Sequence, residues 1–196
     1  LTLKDGLSSN APSAIATFGL VVGGVLKDIK AGSKYAEMAI AMSQKPEGKA
    51  SESRVTFRTW AFSLSYSRPW NDGIRPFLNG YKIGMQIGDT EGAGYCMLGH
   101  ATLSFLQGKN LRILEEDCRI YMQHLEDLGR PEQAQSISYI WYAAQYLMGL
   151  SDSSKLFEEL QRESKPFELS RLVYKCAVFA YMGDYEDGAA YALKSG

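Results

Sequence analysis

The chain has 196 residues, 45% of them hydrophobic and 22% charged, a balance that folds and buries a core. Its 21 basic and 22 acidic residues give a net charge of -1 and are scattered along the chain, so no surface is built for nucleic acid or anionic lipid. The opening Leu1-Thr2-Leu3-Lys4-Asp5-Gly6 lacks the order of a secretory signal, which leads to the expectation of a cytoplasmic protein. Cys96, Cys118 and Cys176 are odd in number and far apart, and are expected to be reduced, buried thiols.

The run from Ser8 to Leu26 carries no charge, but Ser9, Asn10, Pro12, Ser13 and Thr17 with its glycines mark it as a buried helix and not a membrane span. Phe18, Val21, Val22 and Val25 form its expected apolar stripe. Lys27-Asp28 to Gly32 reads as a turn, and Tyr35, Met38, Ala39 and Met42 as the stripe of a second helix. Gln44-Lys45-Pro46-Glu47-Gly48 breaks that helix.

Phe57, Trp60, Ala61 and Leu64 then define a third helix, stopped at Arg68-Pro69-Trp70-Asn71-Asp72-Gly73, and Phe77, Gly80, Tyr81, Gly84 and Met85 its partner. Gly88 followed by Asp89 reads as one helix end and the cap of the next. Tyr95, Leu98, Gly99, Thr102 and Phe105 precede the stop at Gly108-Lys109-Asn110. Leu114, Cys118, Tyr121 and Leu125 follow, up to Leu128-Gly129-Arg130-Pro131. Ile137, Ile140, Trp141, Ala144 and Met148 make the next helix, with a short partner over Ser154 to Arg162. Leu169, Leu172, Val173, Cys176 and Ala180 lead through Gly183-Asp184 to a last helix from Tyr185 to Leu193.

The pattern predicts an all-α chain of five helix pairs, the last possibly truncated, with turns at Asp28, Asp72, Asn110, Asp152 and Asp184 about 39 residues apart on average. Stacked pairs complete each other's core, and Gly80, Gly84, Gly99, Ala143 and Ala144 would let the axes approach. A closed bundle of the same helices is the alternative architecture. The whole, 1–196, reads as one helical-repeat domain, and the start at Leu1 and the stop at Lys194-Ser195-Gly196 as a fragment of a longer, multidomain protein.

Tyr95-x-x-Leu98-Gly99-x-x-Thr102 resembles the first helix of a tetratricopeptide repeat, although Thr102 stands where an aromatic is usual. Gly183-Asp184-Tyr185-Glu186-Asp187-Gly188-Ala189 resembles the turn into the second helix. The run Trp70-Asn71-Asp72, Phe77-Leu78-Asn79-Gly80-Tyr81 and Gly88-Asp89-Thr90-Glu91-Gly92-Ala93-Gly94-Tyr95 is similar to the helical region that follows the ATPase module in large predicted ATPase and sensor-kinase proteins. The resemblance implies tetratricopeptide-like antiparallel helix pairs stacked into a right-handed solenoid, as the regulatory arm of a signalling ATPase or kinase.

The chemistry offered by the residues is thin. Gly32-Ser33-Lys34 and Gly108-Lys109-Asn110 fail the order of a phosphate-binding loop, and Gly92-Ala93-Gly94 lacks the preceding strand and third glycine of a dinucleotide fingerprint. Cys96 and His100, four apart on a helix, could pair as nucleophile and base, and with Cys118 and His124 could ligate a metal if two helices aligned them. Glu115-Glu116-Asp117 could serve acid-base chemistry, or merely complement a helix start.

The expected function is a non-enzymatic protein-protein interaction or regulatory scaffold, without catalytic residue, metal or cofactor. It would bind a protein, a peptide or a neighbouring domain of the same chain, and neither nucleic acid nor membrane. Arg54, Arg58, His100, Gln135, Ser138 and Tyr142 are the candidate partner contacts along the first helices of the pairs. The competing expectation is a helical enzyme or small-molecule-binding bundle that uses Cys96 and His100 or the run Glu115 to Asp117.

Overall fold

The computed structural model describes residues 8–150 and 177–194. Among them every regular element is helical: α1 Ala11–Leu20, α2 Ile29–Ser43, α3 Glu52–Phe62, α4 Ile74–Ile87, α5 Thr90–Leu106, α6 Leu111–Asp127, α7 Pro131–Leu147 and α8 Tyr185–Lys194. A π-helical turn, Val21–Val25, prolongs α1, and 3₁₀ turns occupy Pro46–Ser51, Leu64–Tyr66 and Trp70–Gly73. Residues 177–182 are also helical. The helix anticipated over Ser154 to Arg162, the turn at Asp152, and Leu169 to Cys176 lie outside the described residues. No described helix is long and apolar enough to cross a membrane. The chain divides into two compact units, the first ending at Leu103 and the second beginning at Ser104, with the division inside α5.

In the first unit α1 and α2 pack along each other, α3 lies on both, and α4 lies on α3. The approach of α1 to α2 is set by glycines: a Cβ on Gly32 would stand 2.8 Å from the Gly23 Cα and 2.9 Å from the Gly19 carbonyl oxygen. That intimacy turns three of the four residues of the expected α1 stripe outward and leaves only Val22 buried. Pro12, Ala16, Gly19, Val22 and Gly23 face inward, whereas Phe18 is 51% exposed, Val21 39% and Val25 66%. The small residues seek the neighbouring backbone, so the larger ones are turned outward. Here too Gly32 is inside α2 and not in the turn, because Asp28 caps that helix through a bond from the Ala31 amide at 2.9 Å.

The core of this unit gathers Ala36, Trp60, Leu64, Phe77, Cys96 and Leu103, with Ala16, Ala39 and Val55 beside α1. The glycine stripe expected for close packing is used as such. A Cβ at Gly80 would stand 2.7 Å from the Cys96 sulfur, and one at Gly99 2.6 Å from the Phe77 ring. Trp70, in its turn beside Pro69, is 45% exposed and donates its indole N–H to the Ser65 carbonyl at 3.1 Å.

In the second unit α6 and α7 pack along their lengths, burying Leu114, Cys118 and Leu125 against a face with Ile137, Ile140 and Ala144. Asn110 caps α6, accepting from the Arg112 and Ile113 amides at 3.1 and 3.4 Å. The Tyr181 hydroxyl donates to the carbonyls of Phe105 and Leu106, both at 3.3 Å, and its ring meets Phe105 edge-on.

Candidate functional site

The two thiols and the acidic run singled out in the sequence each have a structural occupation. Cys96 is fully buried, with its thiol 3.4 Å from the Ser53 carbonyl, which accepts from it, and 3.8 Å from the Ser53 hydroxyl. Burial pushes the thiol up to about 12 from an ordinary 9.0, a shift that the Ser53 hydroxyl opposes and the nearby Asp89 charge reinforces. Cys118 is likewise buried and raised, first by desolvation and then by Asp117 and Glu115. A thiol of this kind is a poor nucleophile and a poor metal ligand at neutral pH, since both roles need the thiolate.

Two results should follow. At pH 8 an alkylating reagent is expected to leave Cys96 and Cys118 unmodified in the folded chain and to label both after denaturation, as read by peptide mapping. The unfolded chain also loses the Cys96 proton first as pH rises, because its pKa there is the lower one. The stability present below about pH 9 therefore declines between about 9 and 12, and a Cys96→Ala chain should show a shallower decline. Rapid labelling of Cys96 in the native chain would restore it as a nucleophile.

The acidic run is similarly engaged. The Glu115 carboxylate accepts from the Trp141 indole at 2.6 Å and the Gln145 amide at 3.3 Å, joining α6 to α7, and Asp117 accepts from Lys109 at 2.7 Å. Glu116 lies 3.8 Å from Arg119 on the exposed side of the helix. No three His, Cys, Asp or Glu side chains cluster with metal-site geometry among the described residues.

The six candidate contacts fall in two groups. Arg54, Arg58 and His100 belong to the first unit, Gln135, Ser138 and Tyr142 to the second. Arg54 directs Nε and Nη2 to the Asp89 Oδ1, at 3.1 and 2.9 Å, which also accepts from the Gly92 amide at 3.1 Å. Arg58 donates to the Ser13 hydroxyl, linking α3 to α1. His100 is 4% exposed, so it does not line an open face as expected; α5 turns it inward. Gln135, Ser138 and Tyr142 stand at i, i+3 and i+7 on α7, all half-buried, with Ser138 donating to the Gln135 carbonyl at 2.7 Å. Tyr142 meets Trp141 edge-on at 4.9 Å.

Comparison of the chain with protein-family models, with curated proteins and with solved structures returns no match. The functional reading therefore rests on the residues themselves. Sequence reasoning found Asp89 as a cap but not Arg54 as its partner, 35 positions away, nor Ser53 beside Cys96. The one available signal was that Asp89 follows a helix-ending glycine, where a carboxylate is held in place.

Proposed function

We propose that this chain is a non-enzymatic interaction module, a tetratricopeptide-like stack of helix pairs that docks a protein segment and serves as a regulatory arm in a larger signalling protein. The observation that carries the reading is the commitment of Cys96, Cys118, Glu115 and Asp117 to burial, helix-to-helix hydrogen bonds and ion pairing, which speaks against these four groups as the reactive centre of the competing enzymatic reading. Two further features favour docking. Consecutive helices pack as neighbours, α1 with α2, α3 with both, α6 with α7, which is how repeat stacks are built. Gln135, Ser138 and Tyr142 form a half-exposed polar and aromatic line on α7 of the type that holds a peptide backbone by hydrogen bonds and an aromatic side chain by contact.

The test is photo-crosslinking in the cells that make the protein, with a benzophenone amino acid at Gln135, Ser138 or Tyr142. A discrete adduct at these positions, not seen with the same probe at Arg119 on the outer side of α6, is the expected result. Adducts at none of the three would sink this docking face.

A further inference from the structure

In a stack of helix pairs each pair meets only its neighbours along the chain. Within the second unit Tyr181 departs from that rule. Its hydroxyl reaches back past α6 and α7 to the carbonyls of Phe105 and Leu106, 76 and 75 positions earlier, at the carboxyl end of α5. Carbonyls of a last helical turn lack partners inside their own helix, so they are open to such a donor. The Tyr181 ring adds an edge-on contact with Phe105 at 5.6 Å. The helical segment 177–182 is in this way tied to the first residues of the unit, with α7 between them in sequence.

The helix in between is shaded on every side. From Gln133 to Leu147 no residue of α7 is exposed, although a single neighbour such as α6 covers only one face of a helix. Gln135, Ser138 and Tyr142 share that shading, and they are half-buried in the chain by itself, before any partner arrives. A segment can lie along them only after something of this chain has moved. The α6 side of α7 is firmly held, by the buried Leu114, Cys118 and Leu125 and by the Trp141 indole on Glu115 at 2.6 Å. The Tyr181 tie is weaker. Both of its hydrogen bonds are 3.3 Å long, Tyr181 and Met182 are each 50% exposed, and the helix ends directly after them at Gly183, whose φ is 83°.

We infer that residues 177–182 are an autoinhibitory strap. With the Tyr181 hydroxyl on the end of α5 the second unit is closed over the line of Gln135, Ser138 and Tyr142, and with that bond broken the line opens to a partner. The inference rests on the docking reading proposed above and adds its regulation. A hydrogen-bonding group that exchanges carbonyls for water contributes little, so its loss should raise the open population about 3- to 10-fold and leave the unit folded.

Tyr181→Phe removes the donor and keeps the ring against Phe105. In the full chain it should speed amide exchange over 177–182 about 3- to 10-fold, with helix content by circular dichroism unchanged. A reporter on the line, Ser138→Cys, should react with iodoacetamide faster by a similar factor when Tyr181→Phe is added, as resolved from the native thiols by peptide mapping. Tyr181→Ala, which removes the ring as well, should increase both rates further. Exchange over 177–182 that neither variant alters would mean that Tyr181 does not hold the strap. Faster exchange with unchanged labelling at position 138 would mean that the strap does not cover the line. Either result overturns the inference and leaves docking at α7 standing. Benzophenone adducts at Tyr142 read the docking itself and should increase with Tyr181→Phe. Equal adducts in both chains despite faster labelling would overturn the inhibitory role, whereas faster labelling with no adduct in either chain would uphold the closure and sink the docking reading alone.

Discussion

Asp89→Ala is expected to lower the stability of the first unit by about 3 kcal/mol, and its melting temperature by about 6 to 12 °C. The carboxylate, whose side chain is only 6% exposed, does two jobs through one oxygen. It caps α5 by accepting from the Gly92 amide, and it holds the Arg54 guanidinium from α3. Loss of a helix cap alone costs about 1 kcal/mol. The rest comes from stranding Arg54 beside a void, discounted because its side chain is 45% exposed and water can take over part of the interaction. Asp89→Asn separates the two contributions, since its amide oxygen can still cap while the charge is gone, and should retain roughly half of the loss. Thermal and urea unfolding of the three chains measure this; an alanine chain as stable as the unaltered one would mean that the Gly92 amide and Arg54 are equally well served by water.

The same carboxylate explains a glycine that the sequence offered as part of a cofactor fingerprint. A Cβ on Gly92 would fall 2.4 Å from the Asp89 Oδ2 and 2.9 Å from the Ser53 hydroxyl. Gly92 therefore leaves room for a cap and an ion pair in a buried space, not for a pyrophosphate. Ser53 and Cys96 meet here between α3 and the start of α5, and burial, reinforced by the nearby Asp89 charge, raises the Cys96 thiol.

What the sequence made legible depended on contrast. On α6 charged residues surround the expected stripe Leu114, Cys118, Tyr121 and Leu125, and three of the four are buried as expected, with Tyr121 half-buried. Helix ends were legible for a similar reason: glycine followed by a capping side chain, as at Gly88 and Asp89, where Gly88 adopts a φ of 77°, carries a specific backbone requirement. On α1 no charge marks the solvent side, and periodicity alone assigns the larger residues to the core. The structure gives the core to Ala16, Gly19 and Gly23 because backbone-to-backbone approach with α2 is possible only for small residues. On α5 Gly99 and Phe105 of the expected stripe are buried while Tyr95, Leu98 and Thr102 are only half-buried, and Ala93, Cys96, Met97, Ala101 and Leu103 are buried as well, since a helix contacted on several sides has no single stripe to read. The Arg54 to Asp89 pair was beyond any local pattern, as its members meet only after α3, α4 and α5 have folded together.

Gly48→Ala is the second substitution with a large expected effect, about 3 kcal/mol of destabilisation. Gly48 sits in the 3₁₀ turn Pro46–Ser51, buried against the C-terminal end of α2. A Cβ there would meet the Met42 carbonyl oxygen at 2.3 Å, the Ser43 Cα at 3.0 Å and the Met42 carbonyl carbon at 3.1 Å. All three atoms belong to the backbone, so no rotamer change can clear them and the turn itself must move. Moving it disturbs the bond from the Ser51 hydroxyl to the Gly48 carbonyl, at 2.9 Å, and the start of α3, where Glu52 and Ser53 are buried. Gly24→Ala is the matched comparison: nothing lies within 4 Å of its Cβ position, and the added methyl restricts the unfolded chain. Its melting temperature should equal or exceed that of the unaltered chain, while Gly48→Ala should melt well below it. Equal behaviour of the two would mean that the turn at Gly48 is free to shift and that the close approach between α2 and the entry to α3 does not constrain the unit.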